Sequence, residues 1–134
     1  MLKAEHIGIA VKSLDISVPL FQKLLNTPCY KVENVESEMV KTAFFQLAET
    51  KIELLESTDD GGVISQFIDK KGEGIHHLAF AVSDIFKEVD RLKAEGFVFI
   101  NENPKKGADN KLVCFMHPKN TNGVLIELCQ EITG

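Results

Sequence analysis

The sequence predicts an α+β fold in which two tandem β-α-β-β-β modules form a curved, mixed eight-stranded sheet around a central metal cleft. Three observations carry that prediction. The chain repeats itself: His6-Ile-Gly-Ile-Ala-Val11 is echoed by His77-Leu-Ala-Phe-Ala-Val82, and Lys51-Ile-Glu53-Leu-Leu-Glu56 by Leu125-Ile-Glu127-Leu-Cys-Gln130. A helix signal follows each copy of the opening run. The closing run of each half, apolar on both faces, is interrupted by a carboxylate followed by Leu.

The elements follow in chain order. The run from His6 to Val11 alternates and is bounded by polar residues, so it is a strand. Ser13-Leu14-Asp15 starts a helix that presents Leu20, Phe21, Leu24 and Leu25, with Pro19 expected in its first turn and Asn26 able to end it in the left-handed conformation. Strands are expected near Cys29 to Val35, Val40 to Leu47 and Lys51 to Glu56. A turn at Thr58-Asp-Asp-Gly-Gly62 leads to a short helix with Ile64, Phe67 and Ile68 on one side, which leaves through Lys71-Gly-Glu-Gly74. The second half repeats the order, with a strand from His77 to Val82 and a helix opened by Ser83-Asp84 that carries Ile85, Val89 and Leu92 and stops at Gly96. Its further strands are expected near Phe97 to Ile100, Lys111 to Met116 and Val124 to Gln130.

The modules therefore span about 1–57 and 75–134, with a linker at 58–74. A half of about 55–60 residues with one helix makes a marginal core by itself, so the expectation is one domain over 1–134 whose two sheets join.

Composition narrows the function classes. The 134 residues are 44% hydrophobic and 26% charged, which excludes disordered and fibrous chains. With 15 Lys+Arg against 20 Asp+Glu the net charge is −5, so nucleic acid and anionic membrane surfaces are not expected partners. No apolar run approaches the roughly 20 residues of a membrane span, and the N-terminus carries no signal-peptide pattern. Cys29, Cys114 and Cys129 are odd in number and lack metal-type spacing, as reduced thiols of a cytoplasmic protein would be.

Alternation assigns the faces. In the first strand His6, Gly8 and Ala10 point one way and Ile7, Ile9 and Val11 the other; His77, Ala79 and Ala81 oppose Leu78, Phe80 and Val82 in the same manner. Each histidine thus heads a row of small residues that leaves room beside it. Glu53 and Glu127 each stand opposite a bulky apolar pair, and a buried carboxylate is costly unless it is paired, hydrogen-bonded or bound to a metal. Pseudo-twofold pairing of the halves would gather His6, Glu53, His77 and Glu127, a donor set suited to a divalent transition metal with open positions for an oxygen substrate. His76 faces away from His77 by parity and reads as structural.

These residues carry a resemblance. The paired modules with His/Glu/His/Glu resemble the vicinal-oxygen-chelate superfamily of glyoxalases, extradiol dioxygenases, fosfomycin-resistance and bleomycin-binding proteins, and within it the methylmalonyl-CoA epimerase family. The segments concerned are His6-Ile-Gly-Ile-Ala-Val11, Ala43-Phe-Phe45, Thr50-Lys-Ile-Glu-Leu-Leu-Glu56, Lys71-Gly-Glu-Gly-Ile-His-His-Leu-Ala-Phe80, Met116-His-Pro-Lys119 and Gly123-Val-Leu-Ile-Glu-Leu-Cys-Gln130. They span nearly the whole chain.

The resemblance implies a glyoxalase-like fold with metal ligands His6, Glu53, His77 and Glu127, and a divalent ion, Co2+ first and Mn2+, Ni2+ or Zn2+ as alternatives. It implies an acyl-CoA substrate whose (R) and (S) forms interconvert by a 1,1-proton transfer through an enolate, and relatives that pair as homodimers. Glu127 is the candidate acid/base as well as a ligand. Where some relatives place a second catalytic Glu, this chain has Thr42, so Glu38, Glu53 or a metal-bound water is left for the other proton. Some relatives carry Gln at the position of Glu53. His117 and Lys119 are candidate substrate contacts, and Lys105, Lys106 and Lys111 join Lys119 as candidates for the coenzyme A phosphates. The Phe residues at 44, 45, 80 and 115 and the thiols of Cys114 and Cys129 read as core. A glyoxalase-type lyase or isomerase acting on a thiol conjugate is the alternative enzyme; a non-catalytic small-molecule-binding protein is the alternative outside enzymes.

Overall fold

A computed structural model of the chain describes residues 1–101 and 103–133, and among them it forms a mixed α+β fold of eight strands and three α-helices. Two compact units divide it, His6–His76 and a second made of Met1–Glu5 with His77–Gly134. β1 (Lys3–Ala10) begins in one unit and ends in the other.

In the His6–His76 unit, β1 is followed by α1 (Leu14–Leu25), β2 (Lys31–Val35), β3 (Val40–Leu47), β4 (Thr50–Ser57) and α2 (Val63–Lys71). The strands lie in the order β2-β3-β4-β1, antiparallel except for the parallel β4–β1 pair. Val11, Leu14, Ala43, Phe45 and Leu54 form the core under α1, joined by Ile9, Val18, Phe21, Leu25 and Ile52. This is the bulky face of the strands, as alternation requires. On the opposite face α2 packs Ile64, Phe67 and Ile68 against Ala10, Val40 and Leu55.

The helix α1 differs from its sequence reading in one respect. It starts at Leu14, so Pro19 lies inside it, beyond the first turn. Its buried stripe is consequently Leu14, Val18, Phe21 and Leu25, while Leu20 and Leu24 are exposed. Asn26 ends the helix at φ 51°, its N–H donating to the Gln22 carbonyl.

The second unit repeats the plan with β5 (Gly74–Ala81), whose residues from His77 onward belong to it, then α3 (Ile85–Ala94), β6 (Lys105–Lys106), β7 (Lys111–Met116) and β8 (Ile126–Glu131). The order is β5-β8-β7-β6, again with one parallel pair, β5–β8. Ile85, Val89 and Leu92 of α3 pack on Val82, Cys114, Met116 and Leu128. The amino-terminal segment is tied into this unit by the Leu2 N–H, which donates to the Ala81 carbonyl at 2.8 Å. Burial pushes the Cys114 thiol above its ordinary value, so it behaves as a small apolar residue.

The strand expected from Phe97 to Ile100 is absent. That stretch contributes only an isolated bridge between Phe99 and Met116, and the ladder partner of β7 is the two-residue β6. The cause is a polar side chain in place of backbone: the Phe115 N–H donates to the Asn101 side-chain carbonyl at 3.0 Å, where a regular ladder would need a main-chain acceptor.

Candidate functional site

Register builds one His–Glu pair in each unit. In the first, the β1–β4 ladder sets Gly8 beside Glu53, and the β3–β4 ladder sets Phe44 on the other side. Residues opposite one another in a ladder share a face, so Glu53 stands between a residue with no side chain and a ring. His6, two residues before Gly8, brings its Nδ1 to 3.2 Å from Glu53 Oε2. Both residues are buried. Phe44 is wholly buried, with Lys31 Nζ 4.4 Å from its ring centroid and the Tyr30 ring at 6.0 Å.

In the second unit Ala79 stands beside Glu127 and Phe115 on its other side. His77 Nε2 lies 3.1 Å from Glu127 Oε1, and both residues are buried. The Phe115 ring meets the His77 imidazole edge-on, with centroids 5.7 Å apart and planes at 85°. The same order of small residue, carboxylate and phenylalanine across three strands thus occurs twice, with a histidine folded onto the carboxylate each time.

The donor chemistry of each pair fits a metal ion. Two donors about 2.1 Å from a divalent ion, at octahedral or tetrahedral angles, are about 3.0–3.4 Å apart, the range of both nitrogen–oxygen separations. Imidazole nitrogen and carboxylate oxygen are ligands for first-row divalent metals, and binding there offsets the cost of burying a carboxylate.

The remaining candidates separate clearly. Thr42 is 1% exposed on β3, on the face of Phe44 and Glu53. Glu38 does not share its strand: residues Glu36–Glu38 form a 3-10 turn, and Met39 at φ 54° breaks the backbone before β3. His117 is exposed at the end of β7, where its Nδ1 accepts the Lys119 N–H at 3.1 Å and caps the following turn. Lys105, Lys106 and Lys119 are exposed. Lys111, a candidate for the coenzyme A phosphates, is buried, with Nζ 3.6 Å from Asp109, 3.7 Å from Glu131 and 3.9 Å from Glu5. His76 packs edge-on against Phe67 at 5.0 Å, a structural contact. Of the phenylalanines, Phe45 and Phe80 belong to the helix-side cores, whereas Phe44 and Phe115 flank the carboxylates.

Sequence reasoning missed two residues that support the site from behind. The Glu56 carboxylate accepts the Leu14 N–H at 2.6 Å, and the Gln130 side-chain carbonyl accepts the Ile85 N–H at 2.7 Å. Each satisfies an orphan donor at the start of its own unit's helix. Both lie three residues after the site carboxylate, an equivalence visible in the repeat itself.

Comparison with known proteins follows this geometry. Residues 5–115 match the family model of the glyoxalase/bleomycin resistance protein/dioxygenase superfamily. The mitochondrial methylmalonyl-CoA epimerase of Dictyostelium discoideum is 39% identical over 94% of this chain and 76% of its own length. The ethylmalonyl-CoA/methylmalonyl-CoA epimerase of Cereibacter sphaeroides is 37% identical over 96% of this chain and 97% of its own. A substituted Streptomyces coelicolor methylmalonyl-CoA epimerase in complex with 2-nitronate-propionyl-CoA superimposes with a TM-score of 0.94 at 27% identity, covering 99% of this chain and 96% of that one. The chain thus belongs to the glyoxalase/bleomycin resistance protein/dioxygenase superfamily, and its near-full-length relatives include methylmalonyl-CoA epimerases.

Proposed function

We propose that this protein is a divalent-metal-dependent isomerase that interconverts (R)- and (S)-methylmalonyl-CoA by a 1,1-proton transfer. The observation that carries the reading is the pair of buried His–Glu contacts at equivalent positions of the two units, in a chain whose near-full-length relatives include epimerases. In this reading His6, Glu53, His77 and Glu127 share one ion, cobalt first, with manganese, nickel or zinc as substitutes. The same reading makes the protein a homodimer working in the cytoplasm, the latter by its likeness to the bacterial epimerase.

A bound divalent ion would supply Lewis-acid stabilisation, worth several kcal/mol, to negative charge developing on the thioester oxygen. The chain's own residues do the rest. His6, His77 and Glu53 would hold the ion through imidazole nitrogen and carboxylate oxygen, while Glu127 carries a second duty as the base that takes the C2 proton of the substrate. The small residues Gly8 and Ala79 beside the two carboxylates leave space for an acyl group, and Phe44 and Phe115 exclude water from their other flanks. A dry surround strengthens each electrostatic contact with the developing charge.

Proton NMR of methylmalonyl-CoA in deuterated water tests the reading with cobalt-loaded, metal-stripped and Glu127→Ala protein. Rapid, metal-dependent loss of the C2 proton signal that Glu127→Ala abolishes is the expected result. Cobalt-loaded protein that leaves this signal at its uncatalysed rate sinks the epimerase reading and moves the glyoxalase-type alternative to the front.

A further inference from the structure

The helices α1 and α3 stand at matching places in the repeat, yet they show solvent different chemistry. The offset that carries His6 onto His77 also carries Leu14, the first residue of α1, onto Ile85, the first of α3. It sets Ile16, Leu20 and Leu24 against Lys87, Arg91 and Glu95. On α3 those three positions are exposed and charged, as a solvated helix face should be. On α1 they are large aliphatic side chains, 73%, 58% and 71% exposed. Spaced four apart, they form one stripe on the side turned away from the core of Leu14, Val18, Phe21 and Leu25. Single exposed aliphatics are ordinary, but a continuous stripe along a helix marks a contact surface.

The charges beside the stripe say what meets it. Asp15, Pro19 and Lys23 are exposed and run parallel to it, also four apart, with an acid at one end and a base at the other. Neither the Asp15 carboxylate nor the Lys23 ammonium pairs with another described residue. The stripe is centred on Leu20. When a second α1 lies antiparallel across it, Leu20 meets Leu20, Ile16 meets Leu24, and like flanks come side by side. Asp15 of each copy then faces Lys23 of the other, at both ends of the contact. Parallel pairing would set acid on acid and base on base. An isologous contact pairs residue i with j and j with i, which this order of side chains satisfies. Pro19, at the middle of the flank, puts no long side chain between the two ion pairs.

Resting on the homodimer of the proposed function and independent of its chemistry, we propose that α1 is the dimer face. Ile16, Leu20 and Leu24 pack on the same stripe of a second, antiparallel copy, and an Asp15–Lys23 pair closes each end. One helix pair covers less than the roughly 800 Å² per partner of a standard interface, so the dimer dissociates on dilution.

Sedimentation velocity over about three decades of concentration, up to about 1 mM, tests the face in native protein and in variants at these exposed positions. Native protein is expected to approach twice the 14.9 kDa of one chain as concentration rises. Leu20→Lys keeps a good helix former and is expected to raise the dissociation constant more than about 10-fold. Asp15→Lys and Lys23→Glu each set like charges together and are expected to raise it about 3–10-fold, whereas the double variant restores opposite charges and recovers most of the loss. Failure of the double variant to recover overturns the antiparallel arrangement. A native dimer that Leu20→Lys leaves within about twofold overturns the α1 face and keeps the homodimer. Native protein that stays monomeric throughout removes both, and places a different molecule on the stripe. None of these results bears on C2 proton exchange, which tests the epimerase reading separately.

Discussion

Between the two units the carboxylate keeps its ladder neighbours, Gly8 and Phe44 around Glu53, Ala79 and Phe115 around Glu127, while almost everything one shell further out has changed. Phe44 is sealed in, with Lys31 and Tyr30 against its ring, whereas Phe115 is half-buried and touches the histidine itself. His6 turns Nδ1 to its carboxylate and His77 turns Nε2. Thr42 in one unit answers to Val113 in the other. Register, which a single slipped residue would destroy for the whole strand, is what the halves share. Groups that only tune a neighbour have been free to diverge, and so equivalent positions can hold different duties.

The sharpest way to break this comparison is to remove one charge at a time from equivalent positions. Glu127→Gln is expected to slow C2 exchange at least about 1,000-fold, because the amide cannot accept the proton, whereas Glu53→Gln keeps an oxygen donor and is expected to stay within about tenfold. Equal losses in the NMR exchange assay would show that the two carboxylates have not divided their duties.

The helix starts give the next largest effect. Leu14 and Ile85 are the first residues of α1 and α3, and Ile85 is fully buried while Leu14 retains 6% exposure. Ile85→Ala is expected to lower stability by about 2–5 kcal/mol and Leu14→Ala by less, as read from urea unfolding. The caps behind them come third. Glu56→Ala and Gln130→Ala are each expected to cost about 0.5–2 kcal/mol. Glu56→Gln should cost less than Glu56→Ala, and the difference between acid and amide should shrink in high salt, since a carboxylate also favours the positive end of the helix.

The smallest effect is a pH dependence peculiar to the second unit. The Arg91 guanidinium, hydrogen-bonded to Glu88, and the Met1 ammonium at 3.1 Å hold the Glu88 carboxyl below its usual 4.5. A depressed carboxyl stabilises the fold above its unfolded value and ceases to do so as the pH falls through its folded value. Native protein should therefore melt slightly above Glu88→Gln near neutral pH, and the gap should close in acid below 4.5.

Much of this was legible in the sequence because the strands alternate and repeat. Parity set His6, Glu53, His77 and Glu127 each opposite the bulky residues of its own strand, and the repeat suggested that the four belong together. Features set by side chains substituting for backbone were not legible. Asn101 takes the place of a strand partner for Phe115, so the expected strand at Phe97 to Ile100 never forms. Pro19 reads as a first-turn residue until Glu56, distant in sequence, is seen to fix the helix start at Leu14. Lys111 reads as a candidate phosphate contact because nothing local announces the three carboxylates gathered around it.

The closing strands β4 and β8 carry a consequence of their own. Each holds a site carboxylate and, three residues on, a helix cap, and three is odd, so the two side chains leave opposite faces of one strand. An inserted or deleted residue between them would turn one of the pair to the wrong side, whatever its identity. Substitution in these strands is thus far more tolerable than a change of length, and lineages of this protein are expected to accumulate insertions in the turns while Glu53 to Glu56 and Glu127 to Gln130 keep their spacing.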